Sequence, residues 1–303
     1  MAAREIPSKS AAKASTRSGI DSGPGPGIEI LKYVLLIGLS FLFLLPLLWM
    51  LTSAFKNDDQ VFRIPPVWIP SPAIPENFVN AWGKYPFTQF AINTIFKYAI
   101  PSAILTTVSS AIVAYGFSRL RWPGRELLFG LCLATVMIPA QVMLVPLFIT
   151  YKNLGWLNTY LPLVVPALFG SPWNIFLLRQ FFMTIPQELS DAARIDGANE
   201  FRILFRIIFP LAVPPLIVVA LFSFLAAWND YLGPLVFINK QDQFPLALGV
   251  GLLRRALGET GSTAQVYPHL MAVSTLVTVP IIVLYFLAQR RFIEGITTTG
   301  MKG

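Results

Sequence analysis

The chain has 303 residues, of which 55% are hydrophobic and only 13% charged, and its formal net charge is +8. A soluble domain has about a quarter of its residues charged, so this balance sets the chain apart from ordinary soluble proteins. The positive charge does not point to nucleic acid: Lys and Arg collect between apolar stretches and build no aromatic-basic groove.

In chain order, residues 1–27 are polar and rich in Gly, Pro and Ser, which predicts a disordered cytosolic tail. The first apolar stretch is long and lacks a small-residue cleavage site, so it is expected to remain as an anchor. Residues 28–90 read as that first membrane helix, about Tyr33–Phe55, and an outward loop. Residues 91–290 read as a core of five further spans, near Tyr98–Phe117, Leu127–Thr150, Tyr160–Phe182, Ile207–Ala227 and Leu270–Leu287, with a cytoplasmic loop at 184–206. Residues 291–303 form a cytoplasmic tail. Each span approaches the ~20 residues that cross a bilayer, and backbone groups in lipid must be satisfied internally. The expected fold is therefore all-α, a polytopic membrane protein with six transmembrane helices.

Basic residues orient it. Arg4, Lys9, Lys13 and Arg17 precede the first span, Arg119, Arg121 and Arg125 follow the second, Arg194, Arg202 and Arg206 follow the fourth, and Arg290, Arg291 and Lys302 follow the sixth. These segments share one side, which places both termini in the cytoplasm. Arg254 and Arg255 are exceptions in a long outward loop. Prolines such as Pro46, Pro101, Pro139, Pro166 and Pro214 lie in or near the spans and predict kinks. Kinked helices suit either irregular packing or a cavity that opens to alternate sides.

The spans carry almost no ionisable residues; Lys97 sits at an outer boundary. This argues against a proton relay but leaves open a sodium-coupled carrier built from carbonyls and hydroxyls. Asn93, Gln141, Asn174, Ser223, Trp228 and Asn229, with hydroxyls such as Thr106 and Ser110, are candidates for lining a path for a hydroxylated solute. Helix packing and interfacial anchoring are the competing roles for the same residues. Cys132 is the sole cysteine and reads as packing, and His269, the sole histidine, has no metal partner in the pattern. There is no phosphate-binding G-x-x-x-x-G-K-[ST] and no H-E-x-x-H, so neither ATP hydrolysis nor metal chemistry is expected here.

The charged island Glu188–Pro210 is the most specific feature. Pro186 suits a first helical turn, Glu188 complements the helix N-terminus, and Leu189, Ala192, Ala193 and Ile195 give a short apolar face edged by Asp191, Arg194 and Asp196. Gly197 can end that helix, and Asn199 can cap a second one. A generic amphipathic surface helix is the alternative.

Asp191-Ala192-Ala193, Gly197, Ile207 and Phe209-Pro210 match the spacing of the EAA loop, E-A-A-x3-G-x9-I-x-L-P, with Asp191 for Glu and Phe209 for Leu. The chain thereby resembles permease subunits of binding-protein-dependent ABC importers. The run DAARIDGAN, the segments AYGFSRLRWPGR and WNDYLGPLVFI, and the ending QRRFIEGITTTGMKG are similar to the smaller six-span permease of the maltose type. The resemblance runs from about Leu31 to Gly303. It implies a second related permease, a cytosolic ATPase dimer that holds ATP and Mg, an extracytoplasmic solute-binding protein and a carbohydrate substrate, with no cofactor in this chain. It makes the island a coupling helix, with Glu188, Asp191, Ala192, Ala193, Asp196 and Gly197 as ATPase-coupling residues. Gly295, Gly300 and Gly303 with Thr297, Thr298 and Thr299 read as a thin extended segment, which the resemblance inserts between the ATPase subunits, a disordered end being the alternative. The resemblance also implies the inner membrane of a prokaryotic cell. A stand-alone ion-coupled secondary transporter and a non-transporting scaffold are the rival classes.

Overall fold

The computed structural model describes the backbone of residues 26–259 and 266–300, and side chains of residues 27–255 and 266–289. The chain divides into two units, residues 1–48 and 49–303. In the first, the described residues form the opening of helix α1 (Pro26–Ala54), which contains Pro46 and exposes its apolar side chains from Ile28 to Phe43. Such a surface is stable only in a solvent as apolar as itself.

The second unit holds the end of α1 and the other spans. These are α2 (Phe87–Arg119), the pair α3 (Arg125–Met137) and α4 (Ala140–Asn153), then α5 (Leu161–Thr184). A short helix, α6 (Gln187–Ile195), follows. After it come the pair α7 (Glu200–Leu211) and α8 (Val213–Asn229), then α9 (Leu246–Glu259) and α10 (Val266–Gly300). Among the described residues, four helices are long and apolar enough to cross a membrane, and six spans result if each bent pair is one. The third expected span is thus no straight rod: α3 and α4 meet at 96°. Pro139 starts α4, and Ile138 before it is extended, at φ −80° and ψ 116°, as the residue ahead of a proline prefers. Likewise α7 and α8 meet at 86°. Pro214 lies in the first turn of α8, where its missing N–H costs nothing.

Prolines also explain two π-helical turns. Asn93–Ala99 precedes Pro101 and Leu204–Ile208 precedes Pro210. A proline deletes one i to i−4 bond and crowds that carbonyl, and a wider turn relieves both.

Packing centres on α2, which lies against the second half of α5 and against α8. Ala103, Ser110, Ala111 and Ala114 on α2 are buried. Small side chains let helix backbones approach closely where lipid removes the hydrophobic drive and dispersion must serve instead. Leu178, Phe182, Ile203, Ile208 and Val219 fill the same core. A second core, near the outward loops, gathers Phe87, Phe90, Trp228, Leu253 and Val273. Asn77 joins that region to the end of α1: its buried Nδ2 donates to the carbonyls of Ala54 at 3.0 Å and Lys56 at 2.8 Å.

Two expectations change. The expected fourth span contains a nearly buried cation, Arg179. It donates to both carboxylate oxygens of Glu126, at 3.0 and 2.9 Å, and to the Phe117 carbonyl at 3.1 Å, and it lies over the Phe129 ring. The tail is not extended: α10 stays helical to Gly300, because adding a residue to an existing helix avoids the cost of nucleation. Residues 301–303 lie outside the described residues. The long connector 231–268, expected to face outward, is largely helical, through Leu232–Phe237 and α9, with 260–265 outside the described residues.

Candidate functional site

One candidate site is built by α6 and the start of α7. α6 opens after Pro186 and carries Glu188 in its first turn, where a carboxylate complements the exposed N–H groups. It closes in a Schellman motif: Gly197 N donates to Arg194 O at 3.0 Å and Ala198 N to Ala193 O at 2.9 Å. Gly197 holds the left-handed conformation this requires, at φ +78°. The Asn199 side chain then accepts from Arg202 N at 2.9 Å and starts α7.

The result is two short helices with a rigid corner. Leu189, Asp191, Ala192, Ile195, Asp196 and Gly197 are exposed, as is Glu188, and Ala193 is half-buried. Ile195 is 87% exposed and Phe201 67%. Large exposed apolar side chains edged by carboxylates, on α6 and at the very start of α7, mark a surface for another protein.

The island is tied to the membrane core by two latches from α2. Arg119, 5% exposed, donates from Nη2 to Ile185 O at 2.6 Å and from Nη1 to Gln187 Oε1 at 2.9 Å. Tyr115 OH donates to Glu200 Oε2. Glu200 Oε1 accepts from Arg194 Nε at 2.8 Å, and Arg194 Nη1 reaches Asp191 Oδ1 at 2.7 Å. The bond to Glu200, followed by the one to Asp191, raises Arg194 above its already high value against the cost of partial burial, so it stays cationic. A cavity of about 400 Å³ lies between these groups.

The other site is a cavity of about 680 Å³ between α2, α5 and α8, lined by Tyr98, Ser102, Trp173, Asn174, Ser223 and Asp230 among others. Asn174 and Ser223 face each other there at 3.2 Å. Thr106 lines the cavity as well, whereas Asn93, Gln141, Trp228 and Asn229 lie elsewhere. Asn93 is buried and donates to the carbonyls of Asp242 and Phe244. Gln141 is exposed at the start of α4. Trp228 is buried against Phe224, and Asn229 is exposed and donates to Leu225 O. Tyr98, Trp173 and Asp230 were not expected. Asp230 carries the signal that was available, a lone carboxylate at the end of an apolar span.

This arrangement, an apolar bundle with a polar cavity and a braced corner of two short helices, fits a transport permease. Residues 107–298 match the family described as "Binding-protein-dependent transport system inner membrane component", and the chain belongs to that family. It is 36% identical to the probable ABC transporter permease protein YurM of Bacillus subtilis, over 91% of this chain and 88% of that one. It is 34% identical to the arabinooligosaccharides transport system permease protein AraQ of Halalkalibacterium halodurans, over 90% and 98%. A solved bacterial ABC transporter involved in import of the acidic polysaccharide alginate shares the fold, with a TM-score of 0.75, 22% identity and coverage of 87% of this chain and 95% of that one. Membership favours the ATP-driven importer over the ion-coupled carrier.

Proposed function

We propose that this chain is one of two membrane halves of an importer for a di- or oligosaccharide, driven by ATP hydrolysed on partner chains. The observation that carries the reading is the braced island. Its exposed apolar and acidic surface, with Glu188, Asp191, Ala192, Ala193, Asp196 and Gly197, seats in a cytosolic ATPase dimer that holds ATP and Mg. Closure of that dimer pushes α6, and the two latches pass the displacement to α2, which borders the cavity. ATP supplies the differential stabilisation that any such two-state switch requires. A second, related permease completes the path, an extracytoplasmic binding protein delivers the sugar, and both termini lie in the cytoplasm. Asn174 and Ser223 contact the passing solute. The arabinooligosaccharide relative supports the substrate class.

The test is reconstitution in proteoliposomes with the cognate permease, ATPase and binding protein, using labelled arabinotriose and maltotriose. Uptake that requires ATP and the binding protein supports the reading. Uptake by the permeases alone under an ion gradient overturns it.

A further inference from the structure

Asp230 stands just past α8, and both its carboxylate oxygens are engaged. Oδ2 accepts from the Tyr98 hydroxyl at 2.5 Å and Oδ1 from the Gly233 backbone N–H at 3.0 Å. The space beside Gly233 belongs to that carboxylate: a Cβ on Gly233 would lie 2.6 Å from Oδ2. The group is therefore fixed from two elements, and it lines the 680 Å³ cavity.

Among the described residues, the lining of that cavity contains this one carboxylate and no Lys, Arg or His. Lys97, next to Tyr98 in sequence, is not among the lining residues; its Nζ approaches Gln243 Oε1 at 3.4 Å. The remaining polar groups are neutral: Tyr98, whose hydroxyl is held by Asp230, Ser102, whose buried Oγ has no partner, Thr106, Ser171, Asn174 and Ser223. Trp173, 59% exposed, adds an aromatic face.

We infer that this cavity is a subsite for neutral hydroxylated solutes and that Asp230 turns anionic ones away. The inference rests on the importer reading and narrows its substrate class. Sugar hydroxyls can donate to the carboxylate and exchange hydrogen bonds with Asn174 and the serines, while the C–H face of a ring lies on Trp173. A uronate or phosphate brings a second negative charge into a partly desolvated space with no cation to meet it. Across some ~6 Å at an effective dielectric of ~20, that repulsion corresponds to roughly a hundredfold discrimination. The likeness to an alginate importer is one of fold; the lining here lacks the cations an acidic chain needs.

The experiment measures charge selection directly. In the assembled permease–ATPase complex in nanodiscs, with Cys132→Ser, a cysteine is placed at Thr106 or Ala226, both on the cavity wall. Each is reacted with methanethiosulfonates of matched size bearing a neutral or an anionic head. The neutral reagent is expected to modify at least one position, and the anionic one to react there at least tenfold more slowly, on the order of the repulsion above. Asp230→Asn should bring the two rates within about twofold. Gly233→Ala, which displaces the carboxylate without removing it, should weaken the discrimination and covers the case in which Asp230→Asn fails to fold. Equal rates with Asp230 present, discrimination that survives both substitutions, or no reaction with the neutral reagent at either position overturns the inference. The labelling needs no ATP, so failure of ATP-driven uptake would sink the importer reading and leave this result standing.

Discussion

Arg119, in the last turn of α2, donates to the carbonyl oxygen of Ile185, two residues before α6 begins, at 2.6 Å. With Gln187 on its other arm, one buried guanidinium grips both the approach to α6 and its first residue. Removing it strands a buried carbonyl, which costs about 1–3 kcal/mol. Arg119→Ala is expected to lower uptake roughly tenfold while binding-protein-stimulated ATPase falls less, because the island slips against α2. Arg119→Lys restores one contact, not the fork, and should recover only part. Equal loss of uptake and ATPase in both variants would show a purely structural role.

Tyr115 and Glu200 form the second latch, and Glu200 also serves Arg194. Tyr115→Phe deletes one hydroxyl and should cost about 0.5–1.5 kcal/mol of complex stability. Glu200→Gln weakens two contacts and should cost more. The double variant should fall short of the sum, since the residues touch. Thermal melts of the four proteins in detergent measure this directly, and strict additivity would argue against the latch.

Gly197 has open space where a Cβ would go, with nothing within 4 Å. Its constraint is torsional: the residue holds φ +78°, and a Cβ there would meet no neighbour. Left-handed geometry costs a residue with a Cβ roughly 1–2 kcal/mol, and less for Asn or Asp. Uptake is therefore expected to fall in the order Gly197, Asn, Asp, Ala, Val. If Gly197→Val behaves like the parent chain, the corner is not rigid.

The apolar runs located the spans because lipid imposes length and composition on them. Their bends were less legible: Pro139 and Pro214 announce a kink, but the 96° and 86° angles depend on what packs around them. The EAA spacing placed the corner correctly because Gly197 and Asn199 act through their own backbone neighbours. The latches were hidden, since Arg119 and Tyr115 meet their partners only after α2 and α5 pack. Arg179 escaped notice inside an apolar run for the same reason, its Glu126 lying 53 residues away. Among the polar candidates, residue type could not separate Asn174, which borders the cavity, from Asn93, which is enclosed by backbone.

That difference supplies a last test. Asn93 is fully buried; its Nδ2 donates to Asp242 O at 2.9 Å and Phe244 O at 3.1 Å, and its Oδ1 accepts from Gln89 Nε2 at 3.0 Å. The neighbouring Thr94 Oγ1 accepts from Leu246 N at 2.7 Å. Together they hold the outward connector onto α2 just before α9 begins. Asn93→Ala removes the donor shared by the part-buried carbonyls of Asp242 and Phe244 and should cost about 0.5–1.5 kcal/mol. Asn93→Asp keeps the shape but turns a carboxylate toward two carbonyl oxygens, so it should cost more, although it is the smaller change. Both should lower the melting temperature of the assembled complex and the amount of active transporter, with the apparent affinity for sugar unchanged. Asn174→Ala should show the converse, with a weaker apparent affinity and a smaller stability change. If Asn93→Ala instead alters apparent affinity at unchanged stability, Asn93 belongs to the solute path and the bracing role is wrong.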